Sequence, residues 1–187
     1  MGEAVQILSD TEIERRLDRA ELDIHGLANP DLQIQPASVD LRLAGHVQVA
    51  SAVGTDNPLV PDDLVFDELR LEDGEDLVVA PGEFMLGSTI ERLDIPPNLV
   101  AHVTGRSSIG RRGLLVHVSA GLCDPGWEGQ VTLELVNLSP APVRIEPGTR
   151  VCQATFTEIK GTVSRDYGER TDSHYQGQTG PVRSRDT

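Results

Sequence analysis

Apolar and polar positions alternate along most of the chain, with the period of two that is typical of half-buried β-strands. In one such run Val39, Leu41 and Leu43 alternate with Asp40 and Arg42. Further runs follow in "DLVVAPGEFMLGSTIERLDIPPNLVAHVTG" and "GLLVHVSAGLCDPGWEGQVTLELVNLSPAPVRIEPGTRVCQATFTEI", where Pro-Gly turns separate the segments. Many short strands without intervening helices predict an all-β sandwich or barrel.

One helix is expected at about residues 9–20, ahead of the strands. Ser9 followed by Glu12 has the reciprocal form of a capping box, and Ile13 with Leu17 gives an apolar i, i+4 stripe. The sequence therefore predicts a single short N-terminal helix.

Two segments depart from the strand pattern. Residues from about 55 to 76 include nine acidic side chains and one basic one, interrupted by Pro and Gly, which predicts an exposed acidic insertion with at most short strands. The tail from about 163 to 187 is polar, as disordered chain ends usually are. Its Tyr167, Tyr175 and Gln178 instead favour a segment that orders over a ligand as a lid.

Length and composition indicate one compact domain spanning 1–187, large enough to bury a core. No apolar run is long enough to cross a bilayer, and the first residues lack the pattern of a signal peptide, so we expect a cytoplasmic protein without membrane contacts. Cys123 and Cys152 have neither disulfide-framework nor zinc-site spacing, so we expect both to be reduced and expect no metal site.

The formal net charge of -14 argues against nucleic acid as a partner, because such binding needs a basic face. Lys160 is the only lysine, and the remaining basic residues are arginines. Heavy acidity with scarce lysine fits either adaptation to high intracellular salt or simply a soluble acidic surface.

The segment "GRSSIGRRG" at residues 105–113 gathers three arginines and two serines in this acidic chain. Turn amides and serine hydroxyls donate to phosphate oxygens, arginines add planar charged donors, and glycine allows close backbone approach. The phosphate loop G-x-x-x-x-G-K-[ST] of nucleotide hydrolases is absent. The pattern predicts a site for a phosphate chain, with a solvated arginine patch as the alternative.

A second set of polar residues lies in "SAGLCDPGWEGQVTLEL". Thr132 and Glu134 share one face of a predicted strand, either towards solvent or towards a pocket where desolvation would raise the carboxylate pKa and favour proton transfer. Asp124 precedes a Pro-Gly turn, and Trp127 is either core or a flat wall for a sugar or base. His117 is a candidate for hydrogen bonding between the two sets.

Together these residues resemble the dCTP deaminase family, a branch of the trimeric dUTPase superfamily. The similarity rests on "QIQPASVDLRL", "PGEFMLGSTIE", "GRSSIGRRGLLVHVSAGLCDPGWEGQVTLEL" and "YQGQTGPVRSR", and covers nearly the whole chain. It implies a distorted β-barrel of the β-clip type, a homotrimer with shared active sites, and a C-terminal tail that orders on binding. It also implies deamination of dCTP to dUTP and ammonia without zinc, in pyrimidine deoxynucleotide biosynthesis, with Mg²⁺ carried by the triphosphate.

The resemblance also implies roles for individual residues. Glu134 matches the catalytic base, while Ser107, Arg111 and the Ala120 backbone match groups that hold the water and stabilise the intermediate. The matching or neighbouring nucleotide-binding positions are Arg106, Ser107, Ser108, Ile109, Gly110, Arg111, Asp124, Trp127, Thr132, Leu133, Glu134, Gln153, Tyr167, His174 and Gln178. His174 stands where the family usually has a phosphate-binding lysine. No protein metal ligands are implied.

The family includes deaminases that release dUTP and bifunctional enzymes that continue to dUMP and diphosphate. Gly121, Leu122 and Gln153 resemble the dUMP-forming type. The other hypotheses are a dUTP diphosphatase alone and a non-catalytic nucleotide-binding trimer. The tail lacks the Gly-rich form of ordinary dUTPases, and Glu134 and Ser107 are both present, which favours the deaminase.

Overall fold

The computed structural model describes residues 6–52, 64–117, 119 and 121–185. Its helices are α1 (Asp10–Asp18), α2 (Pro30–Gln33) and α3 (Ser107–Gly110). Its strands are β1 (Asp23–His25), β2 (Ile34–Gln35), β3 (Ser38–Arg42), β4 (His46–Ala52), β5 (Leu64–Arg70), β6 (Leu77–Val79), β7 (Phe84–Asp94), β8 (Leu99–Gly105), β9 (Leu114–Val116), β10 (Leu122–Cys123), β11 (Glu128–Asn137), β12 (Val143–Ile145) and β13 (Arg150–Glu158). The predicted all-β class is confirmed.

Two main antiparallel sheets enclose one hydrophobic core. The first has the order β5-β4-β7-β11-β9 with β1 also paired to β7, and the second has the order β10-β8-β13-β3-β2. A separate pair joins β12 to β6. The buried cluster combines β7 and β11 side chains such as Leu93 and Leu133 with β8 and β13 side chains such as Val103 and Phe156. The core is therefore aliphatic and lies between the sheets.

The helix expected at residues 9–20 corresponds to α1. The Ser9 hydroxyl accepts a hydrogen bond from the Glu12 amide at 3.3 Å, and Ile13 is fully buried. Among the described residues, no helix is both long and apolar enough to cross a membrane.

β11 is the central strand for the site. It pairs with β7 along residues 128–136, whereas β9 reaches its other edge only at residues 135–137. Val131, Leu133 and Leu135 point into the core, so Thr132 and Glu134 point to the opposite face. The edge of β11 beside residues 128–132 is left for another part of the chain.

Part of the expected acidic insertion is a regular strand. Residues 53–63 lie outside the described residues, but the following seven residues form β5 and pair along their whole length with β4. This seven-residue strand is mostly exposed. Phe66 of β5 meets Phe84 of β7 edge to face with ring centroids 6.4 Å apart, and this contact gives the strand an apolar anchor.

Asp40 departs from the alternation predicted for β3, because it is only 1% exposed. Its Oδ2 lies 3.1 Å from Nε of Arg106 and 3.1 Å from Nη1 of Arg150. Burial raises the pKa of Asp40 above its ordinary value, although both guanidinium groups act in the opposite direction. The carboxylate ties the start of α3 to β13.

Cys123 and Cys152 are both free and buried. Burial raises the pKa of the Cys123 thiol to about 12, so it is not a thiolate at neutral pH.

Candidate active site

A cavity of about 520 Å³ opens beside β11, between β5, β7 and the C-terminal tail. It has a polar and an apolar side. The polar side is lined by His117, Asp124, Thr132, Glu134, Tyr167, Tyr175, Gln178 and Ser184. The apolar side is lined by Leu64, Phe66, Phe84, Leu86, Leu122, Cys123, Trp127, Val131 and Val182. The volume falls within the range of small-molecule sites.

Glu134 and His117 form a hydrogen-bonded pair in the cavity. Nδ1 of His117 lies 3.1 Å from Oε2 of Glu134, and the side chains are 4% and 27% exposed respectively. Burial raises the pKa of Glu134, but the hydrogen bond and electrostatic attraction from His117 outweigh it, so the pKa lies below its ordinary value. The raised pKa expected for a pocket carboxylate is thus wrong, and Glu134 is ionised at neutral pH.

The His117 backbone is held by the same strand residue. Its amide donates to the Glu134 carbonyl at 2.8 Å, and its φ of 54° lies in the left-handed region. Nε2 of His117 is buried without a protein partner among the described residues. The imidazole therefore has one nitrogen on Glu134 and one polar atom available to a ligand or water. Ala120, predicted to contribute its backbone, lies outside the described residues.

The C-terminal tail forms the roof of the cavity. Nε1 of Trp127 donates to the Tyr175 carbonyl at 3.1 Å, and the Tyr167 hydroxyl accepts from the Tyr175 amide at 3.2 Å. The Tyr167 amide in turn donates to the Pro125 carbonyl at 2.7 Å. Tyr167 and Gln178, predicted from sequence as tail residues that approach the nucleotide, both line the cavity, whereas His174 does not.

The arginine segment does not line this cavity. Ser107, Ser108, Gly110 and Arg111 are exposed at the surface, and Ile109 is buried in the core. Arg106 is held against Asp40 as described above and also donates to the Arg150 carbonyl at 3.2 Å. A single chain therefore presents two separate polar surfaces, the cavity and the exposed face of α3.

Two further predicted residues also lie away from the cavity lining. The side chain of Leu133 is fully buried in the core, so only its backbone is on the side of the site. Gln153 lies on β13, opposite Asp40 of β3 and Thr104 of β8. Its position is on the second sheet.

Trp127, one of whose two predicted roles was a flat wall for a sugar or base, lies on the apolar side of the cavity, but the rest of this wall was not anticipated from the sequence. Phe66 belongs to a segment whose charge suggested an exposed insertion, and Phe84 and Leu86 were not singled out in their strand-like segment. The usable signal was the spacing of two between Leu64 and Phe66, which places both on one face of a strand.

Residues 7–159 match the family model described as dCTP deaminase-like. The chain belongs to the dCTP deaminase-like family. A dCTP deaminase of Natronomonas pharaonis is 53% identical over 184 residues, which cover 96% of this chain and 94% of that protein. A dUMP-forming dCTP deaminase of Dictyoglomus thermophilum is 42% identical over 182 residues, covering 96% and 94% of the two chains.

A solved structure shows the same fold as this dCTP deaminase-like chain. The 2'-deoxycytidine 5'-triphosphate deaminase of Agrobacterium tumefaciens superposes with a TM-score of 0.66 at 23% identity. The match covers 84% of this chain and 49% of that one, so this chain spans about half the length of the solved protein. The fold predicted from the family resemblance is confirmed.

No group of three or more His, Cys, Asp or Glu side chains within the described ranges is arranged to hold a metal ion. The cavity lining includes the ionised Glu134 carboxylate, which can accept a proton.

Proposed function

We propose that the protein is a dCTP deaminase, which converts dCTP and water to dUTP and ammonia. The observation that carries this function is the ionised, half-buried Glu134 carboxylate beside His117 in a cavity of nucleoside size. A carboxylate in that state accepts a proton from water without help from a resident metal.

The reaction proceeds by addition and elimination at cytosine C4. Glu134 removes a proton from water while the water oxygen bonds to C4 and the electron pair of the C4=N3 double bond moves to N3. The protonated carboxyl then returns that proton to the exocyclic nitrogen, and the remaining hydroxyl proton is transferred to N3 through the same carboxylate. The C4–N4 bond breaks with its electron pair on nitrogen, which leaves as ammonia, and C4 keeps the oxygen. The same carboxyl serves as base and acid, so it is regenerated in each turnover.

The remaining cavity residues orient the nucleotide. Asp124 faces the sugar, and Thr132 faces the base. Tyr167 and Gln178 belong to the tail and contact the phosphates when the tail closes. Mg²⁺ enters with the triphosphate as part of the substrate. The support for this arrangement is that all four side chains line the cavity that contains Glu134.

A second copy of the chain completes the site. Ser107 and Arg111 supply the groups that hold the water and stabilise charge on the intermediate, and they do so from a neighbouring subunit of a homotrimer. The support is that both side chains are exposed on α3 and outside the cavity lining of their own chain. A rotationally symmetric homotrimer could place such a surface against the corresponding cavity of the next subunit.

A second candidate is continued hydrolysis to dUMP and diphosphate. It is favoured by Gly121, Leu122 and Gln153, which resemble the dUMP-forming type, and Leu122 lines the cavity. Several relatives with 41–44% identity carry the name dCTP deaminase, dUMP-forming.

One assay separates the candidates. Purified protein is incubated with Mg²⁺ and either dCTP or dUTP, and ammonia and nucleotides are quantified. Ammonia with equimolar dUTP supports the deaminase, and dUMP with diphosphate from dCTP supports the bifunctional enzyme. Turnover of dUTP alone, or of neither nucleotide, would overturn the proposed function.

A further inference from the structure

The tail adds a short parallel segment to the free edge of β11. The Gly177 amide donates to the Glu128 carbonyl at 2.9 Å, and the Gln130 amide donates to the Gln178 carbonyl at 3.0 Å. Gly129 and Gln178 form a parallel bridge. These contacts place the tail beside residues 128–130, on the edge that β9 leaves uncovered.

Beyond Gln178, the backbone amides of the tail donate to side chains of β11 and no longer to its backbone carbonyls. Nε2 of Gln130 donates to the carbonyls of Thr89 at 2.9 Å and Ile90 at 3.2 Å, which fixes the orientation of its amide. Oε1 of Gln130 must then face the tail, where it accepts from the Gly180 amide at 2.7 Å. Gln130 is thus a fixed anchor for the tail.

Along β11, Thr132 is the last residue that contacts the tail before Glu134. Its Oγ1 accepts a hydrogen bond from the Val182 amide at 3.1 Å, and its side chain lines the cavity on the same strand face as Glu134. A hydroxyl that accepts from an amide still has its own proton to donate. Within the described residues that proton has no protein acceptor, so the acceptor facing it belongs to a ligand or water in the cavity.

We propose that Thr132 couples tail closure to nucleotide recognition, a role that rests on the proposed function. When Val182 docks, its amide occupies one lone pair of Oγ1 and directs the Thr132 proton into the cavity. There it donates to an acceptor atom of the pyrimidine, a ring nitrogen or carbonyl oxygen. Tail docking and base binding therefore strengthen each other through one oxygen atom. Thr132 is a positioning residue for the tail and a recognition residue for the base.

Amide exchange of the full-length protein tests the tail contact without any need for activity. Thr132→Val keeps the side-chain shape but removes the acceptor, so exchange of the Val182 amide should become about 3- to 10-fold faster. Amides in the middle of β7 should not change. Thr132→Ser retains the hydroxyl and should restore protection of Val182. Unchanged Val182 exchange in Thr132→Val would overturn the proposal, whether or not the protein deaminates dCTP.

A double-mutant cycle tests the coupling. Val182→Pro removes the amide donor while leaving Thr132 intact, and Val182→Ala serves as the control that keeps the donor. Each of Thr132→Val and Val182→Pro should raise KM for dCTP. In the double variant, KM should rise by less than the product of the two single fold-increases. Multiplicative effects on KM would show that the two groups act independently and would overturn the coupling. Absence of dCTP turnover in the wild type would instead count against the proposed function, which the amide-exchange result does not address.

Discussion

Nδ1 of His117 donates to the carboxylate of Glu134 over 3.1 Å, while the His117 amide donates to the carbonyl of the same glutamate. The two residues are thus joined at both side chain and backbone. Burial raises the pKa of the Glu134 carboxyl, but the side-chain hydrogen bond and the electrostatic attraction from His117 outweigh it and lower the pKa. The proposed base is consequently ready in its charged form before substrate binds.

Glu134→Gln should abolish deamination while leaving dCTP binding largely intact. The amide keeps the shape of the side chain but cannot accept the water proton. We therefore expect the rate of ammonia release to fall by about 10²- to 10⁴-fold. Calorimetric titration with dCTP measures binding. Glu128→Gln is the matched control, since Glu128 lies on the same strand but pairs with Arg92 at 2.7 Å outside the cavity lining. Wild-type activity in Glu134→Gln would refute the assigned role.

His117→Asn should move the acidic limb of the kcat/KM profile to higher pH. Asparagine tolerates the left-handed backbone of this position, and the loss of imidazole leaves burial as the main influence on Glu134, so its pKa rises. A profile of kcat/KM against pH measures the shift. An acidic limb that stays in place would contradict the role of His117.

The same pair makes a pH-dependent contribution to stability. Because the folded-state pKa of Glu134 is depressed, its contribution is present above the unfolded-state pKa and is lost as pH falls through the folded-state pKa. Urea unfolding should therefore show wild type more stable than His117→Asn at neutral pH, with the difference shrinking in acid. A difference that is constant with pH would exclude this linkage.

Mixtures of two inactive variants should regain activity if sites are shared between subunits. Glu134→Gln and Arg111→Ala each disable every site in a homotrimer. In randomly mixed trimers, about one quarter of the sites combine an intact Glu134 with an intact Arg111 from the neighbouring subunit. Ammonia release after subunit exchange, compared with each variant alone, gives the measurement. No recovery in verified mixed trimers would mean that each chain builds its own site.

Gly121→Ala should destabilise the protein by about 1–3 kcal/mol, because the added Cβ would overlap a backbone oxygen that cannot move freely. That oxygen belongs to Val103, whose amide donates to the Gly121 carbonyl at 2.7 Å, so relief of the overlap would break this bond. Denaturant unfolding measures the change. Gly45→Ala is the control, since its Cβ would meet the Leu71 oxygen at an ordinary 3.5 Å. Equal stability of the two variants would contradict the prediction.

The strand face of the site could be predicted from local sequence alone. Alternation along β11 separates Thr132 and Glu134 from Leu133, and the structure has this arrangement. The burial of Asp40 could not be predicted in the same way. Its partners Arg106 and Arg150 are distant in the chain and meet it only after β3, β8 and β13 have assembled.

The contact between Val182 and Thr132 could not be predicted from the sequence either. The donor is a backbone amide, which every residue except proline carries, so the residue type at position 182 gives no signal. The influence of His117 on Glu134 was also hidden, since it depends on a left-handed turn that places the imidazole back over β11.

The segment that closes the cavity also covers an open strand edge. Without residues 177–182, the amides and carbonyls of β11 beside residues 128–132 would face solvent, next to apolar side chains of the cavity wall. Such an edge is a template for pairing with other chains. Proteolytic loss of the tail would therefore do more than open the site, because it would turn a catalytic strand into a surface for self-association and aggregation.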